Sequence, residues 1–526
     1  MNPTASNRYL YFVVFVSGMC ALAIEMSASR LLGNVFGTSN LVWAVVIGLI
    51  LLYLSVGHYL GGWLADRSPK HATLYAVLLW AAFLSAVVPL AARPVVRLAS
   101  QAVANLDAGL VVGAFVSILI LFSIPVTLLG TVTPFAIRLA VTDVASAGTV
   151  SGRIDAIGTV GSLIGTFLPV FILTPLIGTT RTFLVFAGLL FVVGFVGLWQ
   201  HTGKRSLLHL WMPAVVTLLA LFVMGGRGRA ALSDEFTIIY EGESPYNYIQ
   251  VQEHTGGTRY LFLNEGQGIH SQWHPERIVY NRTWSYFLIA PYFNAAHTPD
   301  EVDSLLVIGS AAGTIPRQHN AAYPGIRMSG VEIDPQIVQV GADYFQMNDE
   351  YMPNLTTHVQ DGRYVLNQLD EQYDVIAIDA YRPPYIPWHL TTVEFFQEVD
   401  AHLTDEGVVA INVGRTQTDR RLVDALTATL GQVYPSVHAV DVPNTFNTIL
   451  VATRQPTTAD NLRQNATQPG LEQHPILQNM LTAGVQYLVP ATPSDLVFTD
   501  DHAPVEWLVD SIVLNFLLND DIDVLR

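Results

Sequence analysis

Four strand ends in the second half of this chain carry residues able to hold a nucleoside and to move a proton. The apolar run LLVIG opens into a turn bearing Gly309 and Gly313, MSGVEID ends at Glu332 and its neighbours, HVQDG brings Asp361 and Gly362, and YDVIAID ends at Asp379. Glycines in the first turn permit positive φ and let a ligand lie against the backbone. Glu332 lies 23 residues beyond Gly309, where a carboxylate at a strand end can take both hydroxyls of a ribose. Asp361 and Gly362 follow the third strand, the usual place for reading an adenine amino group. Singly, each fits a strand-end turn or a helix cap equally well; the common register carries the nucleoside reading. The full GxGxxG is absent, which favours a single nucleoside over a dinucleotide. Asp379 faces the crevice at the carboxyl ends of parallel strands, where it can act as a general base on an amine.

These residues require a doubly wound α/β sheet to position them. Ahead of it, FTIIYEG, YNYIQVQEH and TRYLFLNEG alternate in polarity, predicting a small antiparallel unit at about 236–270. The stretch PERIVYNRTWSYFLIAPYF predicts a helix leading into the sheet, and the polar stretch 455–475 predicts a surface connection. The closing run PVEWLVDSIVLNFLL is short for a membrane span and is expected to pack on the soluble domain.

The first half is a different object. Seven segments, near 9–29, 41–63, 72–92, 109–136, 155–177, 181–199 and 207–225, are apolar enough to cross a bilayer. The first is too long, and lacks too much of a cleavage site, for a signal peptide. Glu25, Arg30 and Asp155 are ionisable groups at or near membrane depth, where function and an interhelical or interfacial role are equally open. Gly158, Gly161 and Gly165 suggest a close helix-packing face. Residues 94–108 suggest a re-entrant or interfacial helix. Residues 1–227 hold 12 Lys+Arg and 5 Asp+Glu, whereas 228–526 hold 14 Arg, no Lys and 38 Asp+Glu. The acidic second half excludes the basic footprint that nucleic acid requires. Cys20 is the single cysteine, so neither a disulfide framework nor a Cys-rich metal site is expected. Basic residues divide almost evenly between the two faces of a seven-span arrangement. The turn GGWLADRSPK resembles a cytoplasmic loop of major-facilitator transporters. A nucleotide-like co-substrate favours a cytoplasmic catalytic domain.

VEID, QDG and an acid after an apolar strand, preceded by a small β unit, resemble the spermidine synthase family of aminopropyltransferases. The multi-span half, LTTVEFF and TDDHAPVE resemble the membrane-fused branch of that family. The resemblance implies a Rossmann-like, S-adenosylmethionine-dependent methyltransferase fold, with a transmembrane domain at 1–227, a small β domain at 228–275 and a catalytic domain at 276–526. It implies decarboxylated S-adenosylmethionine or S-adenosylmethionine as co-substrate, a small-molecule amine as acceptor and no metal. The sulfonium is already a good leaving group. Gly309, Gly313, Glu332, Asp361 and Gly362 would hold the donor, with Asp379 as base. Tyr246, Gln267, Tyr280, Tyr381, Arg382 and Asp501 would line or cover the acceptor channel. A multi-pass protein of a prokaryotic plasma membrane, associating with itself as soluble relatives do, is the implied setting.

The motifs also depart from the family pattern. The turn is GSAAGT rather than GGGDGG, placing Ala312 where the family's acid holds the donor's amine. DAYRP replaces DSSDP, so Arg382 stands at the second acid. Only Tyr280 survives of the YHE motif, followed by Asn281 and Arg282. An ammonium deprived of those carboxylates loses charge-assisted hydrogen bonds of about 1.5–3 kcal/mol each. Arg382 would instead attract a carboxylate. Methyl or aminocarboxypropyl transfer from intact S-adenosylmethionine is therefore a second expectation. A transporter or sensor whose soluble domain binds a nucleoside is a third.

Overall fold

The computed structural model describes residues 3–36, 40–104, 110–225, 232–264, 268–381 and 385–518. By internal contacts the chain divides into two units, 1–230 with 243–245, and 231–242 with 246–526.

Apolar runs with few helix breakers make the first unit helical. Its helices are α1 (Pro3–Phe36), α2 (Asn40–Arg67), α3 (His71–Ala104), α4 (Leu110–Gly130), α5 (Val132–Ala140), α6 (Ala147–Leu168), α7 (Thr174–Ile177), α8 (Thr179–Thr202) and α9 (Trp211–Gly225). Among the described residues six stretches are long and apolar enough to cross a membrane: Arg8–Leu32, Trp43–Arg67, His71–Ala92, Phe115–Ala140, Val144–Ile177 and Thr179–His209. The expected seventh is α9, whose 15 residues rise about 22 Å, short of a hydrocarbon core of about 30 Å. Residues 94–104, expected as a separate re-entrant or interfacial piece, continue α3. Glu25 is buried on α1, whereas Asp155 is exposed on α6.

The glycines of α6 press against α1. A Cβ at Gly161 would run into the Phe15 carbonyl, one at Gly165 into the Met19 carbonyl, and one at Gly18 into the Gly158 carbonyl. Small residues thus let two backbones touch, the packing mode available where lipid offers no hydrophobic drive.

In the second unit, β1 (Phe236–Glu243), β2 (Tyr248–His254), β3 (Arg259–Leu263) and β4 (Ile269–Trp273) form the small sheet in sequence order. The large sheet holds β5 (Ser304–Ile308), β6 (Arg327–Glu332), β7 (Leu355–Val359), β8 (Tyr373–Ile378), β9 (Leu403–Gly414), β10 (Ser436–Asp441), β11 (Asn447–Thr453) and β12 (Leu488–Val489). Their spatial order is β12-β10-β11-β9-β8-β5-β6-β7. Strands β7, β6, β5, β8 and β9 are parallel, and β11, β10 and β12 complete the sheet antiparallel. Strand order reverses between β5 and β8, which makes their carboxyl ends the topological switch point where such sheets open a crevice. Alternation along β5 sends Leu306 and Ile308 to one core and Leu305 and Val307 to the other, so the sheet is covered on both faces.

The covering helices are α10 (Thr283–Tyr286), α11 (Thr314–Ala322), α12 (Pro335–Tyr344), α13 (Gly362–Leu366), α14 (Val393–Ala401), α15 (Arg421–Leu430), α16 (Ala459–Asn465), α17 (Pro475–Gln486) and α18 (Val505–Leu518). Two expectations are corrected here. The helix expected across PERIVYNRTWSYFLIAPYF shrinks to α10 and a 3-10 stretch, Phe287–Phe293. Bulky aromatics and Pro291 favour tight burial over a regular helix there. The polar stretch 455–475 contains α16, whose Leu462 and Asn465 are buried. Helix α18 packs its Val505, Leu508, Val509 and Ile512 into the core of this unit, as expected.

Gly165→Leu should separate α1 from α6 and cost the helical unit at least the 1–3 kcal/mol or so of an overpacked contact. A lowered melting temperature of the detergent-purified protein, with Gly188→Leu as control because its Cβ would meet nothing within 4 Å, checks this.

Candidate active site

The switch point is built by backbone before side chains enter it. Gly309 ends β5 with φ of +88°, and a Cβ there would lie 2.6 Å from the Ala380 Cα and the Asp379 carbonyl oxygen. Only glycine lets the β5 turn pass this close to the end of β8. The Asp379 N–H donates to the Ile308 carbonyl at 2.9 Å. Gly313, φ +85°, caps α11 and packs on Met347. A Cβ at Gly362 would strike Ile308, so α13 also needs a glycine to sit close to β5.

Glu332 is the next layer. It is 8% exposed and accepts from the backbone N–H of Ala311 at 3.0 Å and of Asp334 at 3.1 Å. Burial pushes its carboxyl up to about 7 against the pull of those N–H groups. Gln360 N–H donates to the Glu332 carbonyl at 3.1 Å, bringing Asp361 alongside. Asp361 caps α13 through the N–H groups of Arg363 and Tyr364, and pairs with His389 at 3.0 Å. His389 first, then those N–H groups, hold its carboxyl below the usual range. The Ala312 N–H donates to Ser271 Oγ at 3.0 Å, which fastens the small sheet to the glycine turn.

Asp379 is half-buried at the end of β8. Asn412 Nδ2 on β9 donates to its Oδ1 at 2.8 Å, and the nearby Trp284 indole also favours the charged carboxylate. Burial outweighs both donors and raises Asp379 to about 7. The Tyr381 hydroxyl is buried without a hydrogen-bond partner among the described residues, where a Cβ at Gly414 would come within 3.1 Å of it. Burial and the Asp379 charge push that phenol upward. A carboxylate that is partly protonated near neutrality and firmly oriented is suited to take a proton.

Gly309, Gly313, Glu332, Asp361, Gly362 and Asp379 are thus brought to adjoining strand ends. The remaining candidates disperse. Tyr280 donates to the Arg277 carbonyl at 2.9 Å and accepts from Arg317 at 3.2 Å. Tyr246 is 41% exposed between β1 and β2, and Asp501 is exposed beyond α17. Gln267 and Arg382 lie outside the described residues. Asp500, considered in the sequence alongside Asp501 and Glu506 as cover for the site, is committed to Arg363 at 2.8 Å; Arg363 also pairs with Glu398 at 2.6 Å. Sequence reasoning missed Trp284, Asn412, Asn447 and His389. The signal available was faint: a lone Asn inside the apolar strand VVAINV, and a Trp in a stretch read as helical.

Residues 295–461 match the family described as the spermine/spermidine synthase domain. The chain is 30% identical over 289 residues to a probable polyamine aminopropyl transferase of Bifidobacterium longum, covering 52% of this chain and 63% of that protein. It is 29% identical over 234 residues to a polyamine aminopropyltransferase of Vibrio vulnificus, 43% of this chain and 72% of that one. An eEF1A lysine and N-terminal methyltransferase of Xenopus laevis is 30% identical over 168 residues, 30% of this chain and 24% of its own length. The chain therefore spans less than two thirds of the first of these relatives.

The elevated Asp379 makes a stability prediction. A carboxylate raised from 3.8 to about 7 keeps its proton in the folded state where the unfolded chain has lost it. Its contribution is favourable at low pH and fades as pH rises between those values. Asp379→Asn should accordingly gain melting temperature relative to wild type as pH passes from 5 to 8 (approximate limits that follow from the linkage). A difference that is flat across that range would contradict the burial assigned to Asp379.

Proposed function

We infer that this chain, with its spermine/spermidine synthase domain, is a membrane-anchored transferase. It would move an aminopropyl group from decarboxylated S-adenosylmethionine to an amine such as putrescine, releasing methylthioadenosine. The observation that carries this reading is the contact of the Gly309 turn with the Asp379–Ala380 backbone, which supports a proton acceptor beside a nucleoside floor. The names of the relatives from Bifidobacterium longum and Vibrio vulnificus support the same reaction class.

In this mechanism Glu332 takes the ribose hydroxyls, and Asp361 and Gly362 lie where the adenine edge is read. Gly309 and Gly313 leave the room that a Cβ would fill. The acceptor nitrogen forms a bond to the carbon next to the sulfonium, the carbon–sulfur bond breaks, and sulfur leaves as a neutral thioether. Asp379 takes the proton shed by the new secondary ammonium. Tyr246, Gln267, Tyr280, Tyr381, Arg382 and Asp501 remain proposed as lining of the acceptor side. The six apolar stretches support a multi-pass protein. We place it in a prokaryotic plasma membrane with the catalytic unit cytoplasmic, where the donor is made, and self-association is part of the same proposal.

One observation favours a second reading. Ala312 is 1% exposed and gives its N–H to Ser271, so the turn presents no carboxylate to the donor's amine. Intact S-adenosylmethionine, as donor of a methyl or aminocarboxypropyl group, fits that turn, and the similarity to a methyltransferase points the same way.

Product analysis by mass spectrometry distinguishes the two. Purified protein given decarboxylated donor and putrescine should form methylthioadenosine and spermidine. Asp379→Asn should lower the rate by about 10²–10⁴, the range for a lost general base. Rate should fall below a pH of about 7 as Asp379 protonates. S-adenosylhomocysteine, or methylthioadenosine from the intact donor alone, would overturn the aminopropyl reading.

A further inference from the structure

Among the described residues, the groups that act on Asp379 are neutral donors rather than a cation. Strand β8 ends opposite β9 in a register that pairs Ile378 with Ile411, so the next residues along, Asp379 and Asn412, face each other. Asn412 is 7% exposed and donates through Nδ2 to Asp379 Oδ1 at 2.8 Å. Its own Oδ1 accepts from Asn447 Nδ2, at the start of β11, at 2.9 Å. Trp284 on α10, 6% exposed, lies close enough for its indole to favour the charged form of the same carboxylate.

We propose that Trp284, Asn412 and Asn447 are positioning residues that orient Asp379 for proton transfer and set the pH at which it works. This rests on the reading of Asp379 as the base.

The direction of the amide chain supplies the reason. An Asn side chain can present either its NH₂ or its oxygen to a neighbour. Asn447 donates to the oxygen of Asn412, which leaves the Asn412 NH₂ as the group turned to Asp379. The reversed amide would set a carbonyl oxygen against a carboxylate. Asn447 thus acts through Asn412 without touching the base. Trp284 needs no such help, since an indole N–H only donates.

Neutral donors are also the right kind. A paired Arg or Lys would orient the carboxylate but favour its charged form strongly, making it a poor proton acceptor. Two neutral donors fix the geometry and offset only part of the burial cost. The charged groups on neighbouring elements are engaged elsewhere. Arg415, just beyond Gly414 on β9, pairs with Asp441 at 3.3 Å, and Arg420 on the lead into α15 pairs with Asp441 at 2.9 Å. Arg317 on α11 holds the His274 carbonyl and Tyr280. Arg282, ahead of α10, is exposed. Glu332 on β6 is bound to backbone N–H groups. Tyr381 is the titratable neighbour that responds to the Asp379 charge.

The test reads the Asp379 titration without relying on turnover. Melting temperature is followed against pH for the full-length protein in detergent. Wild type, Trp284→Phe, Asn447→Leu and Asn447→Ser are each compared with the same protein carrying Asp379→Asn. The midpoint of each difference curve lies halfway between the unfolded and folded values for Asp379, so it moves by half of any change in the folded one. Losing a donor should move it upward, by about half a pH unit for Trp284→Phe and less for Asn447→Leu, with Asn447→Ser restoring part. Where turnover is found, the acid limb of kcat/KM should move with the midpoint. Midpoints unchanged in both Trp284→Phe and Asn447→Leu would overturn the proposal, even if every variant were merely less stable. Midpoints that move while no donor and acceptor pair gives product would uphold the positioning and sink the reading of Asp379 as the transferase base.

Discussion

The α/β unit depends on one steric constraint, the absence of a Cβ at Gly309. Strands β5 and β8 are neighbours only because the chain order reverses between them, and there the turn after β5 crosses the end of β8. A side chain at 309 would displace the backbone of Asp379 and Ala380. With glycine, the floor on which a nucleoside can lie and the carboxylate that can take a proton are separated by little more than van der Waals contact. The rest of the cleft is hung from that crossing. Ala311, two residues on, gives its N–H to Glu332, and Ala312 ties the turn to the small sheet.

Electrostatics divides the unit into two kinds of polar cluster. Around Arg363, charges neutralise one another: Glu398 and Asp500 approach from α14 and the segment before α18, while Thr392 donates to Asp500 at 2.7 Å. That cluster joins distant segments, and Arg363 holds the Asp500 carboxyl below the usual range. Around Asp379 the described neighbours are an amide, an indole and a phenol, and its carboxyl is raised toward neutrality. The same residue type is therefore held as an anion in one place and raised in the other, through burial and the charge of its partners.

Much of this was legible in the residues. Alternation located the small antiparallel sheet, and apolar runs ending in a Gly turn or an acid located the parallel sheet with the Gly turn, Glu332 and Asp379, because each is a local signal. Trp284, Asn412 and Asn447 were not legible, since their meeting depends on β9 lying between β8 and β11 and on the register of both pairs. Sequence distance hides such contacts: Asn412 is 33 residues from Asp379 and 35 from Asn447. The stretch 283–293 reads as a helix by polarity, yet its aromatics are buried all round and Pro291 interrupts the pattern. Composition reads about seven spans; among the described residues six stretches are long and apolar enough, and α9 is a shorter apolar helix. Asp361 was read as an adenine contact, and its cap and its bond to His389 belong to tertiary structure.

The central claim is that a nucleoside lies on the Gly309 turn with its sulfur turned toward Asp379. A cryo-EM structure of the full-length protein with methylthioadenosine tests it directly. The account predicts ribose hydroxyls on Glu332, adenine beside Asp361 and Gly362, and the thioether sulfur facing the Asp379 carboxylate. Methylthioadenosine bound elsewhere, or on the turn with its sulfur directed away from Asp379, would contradict it.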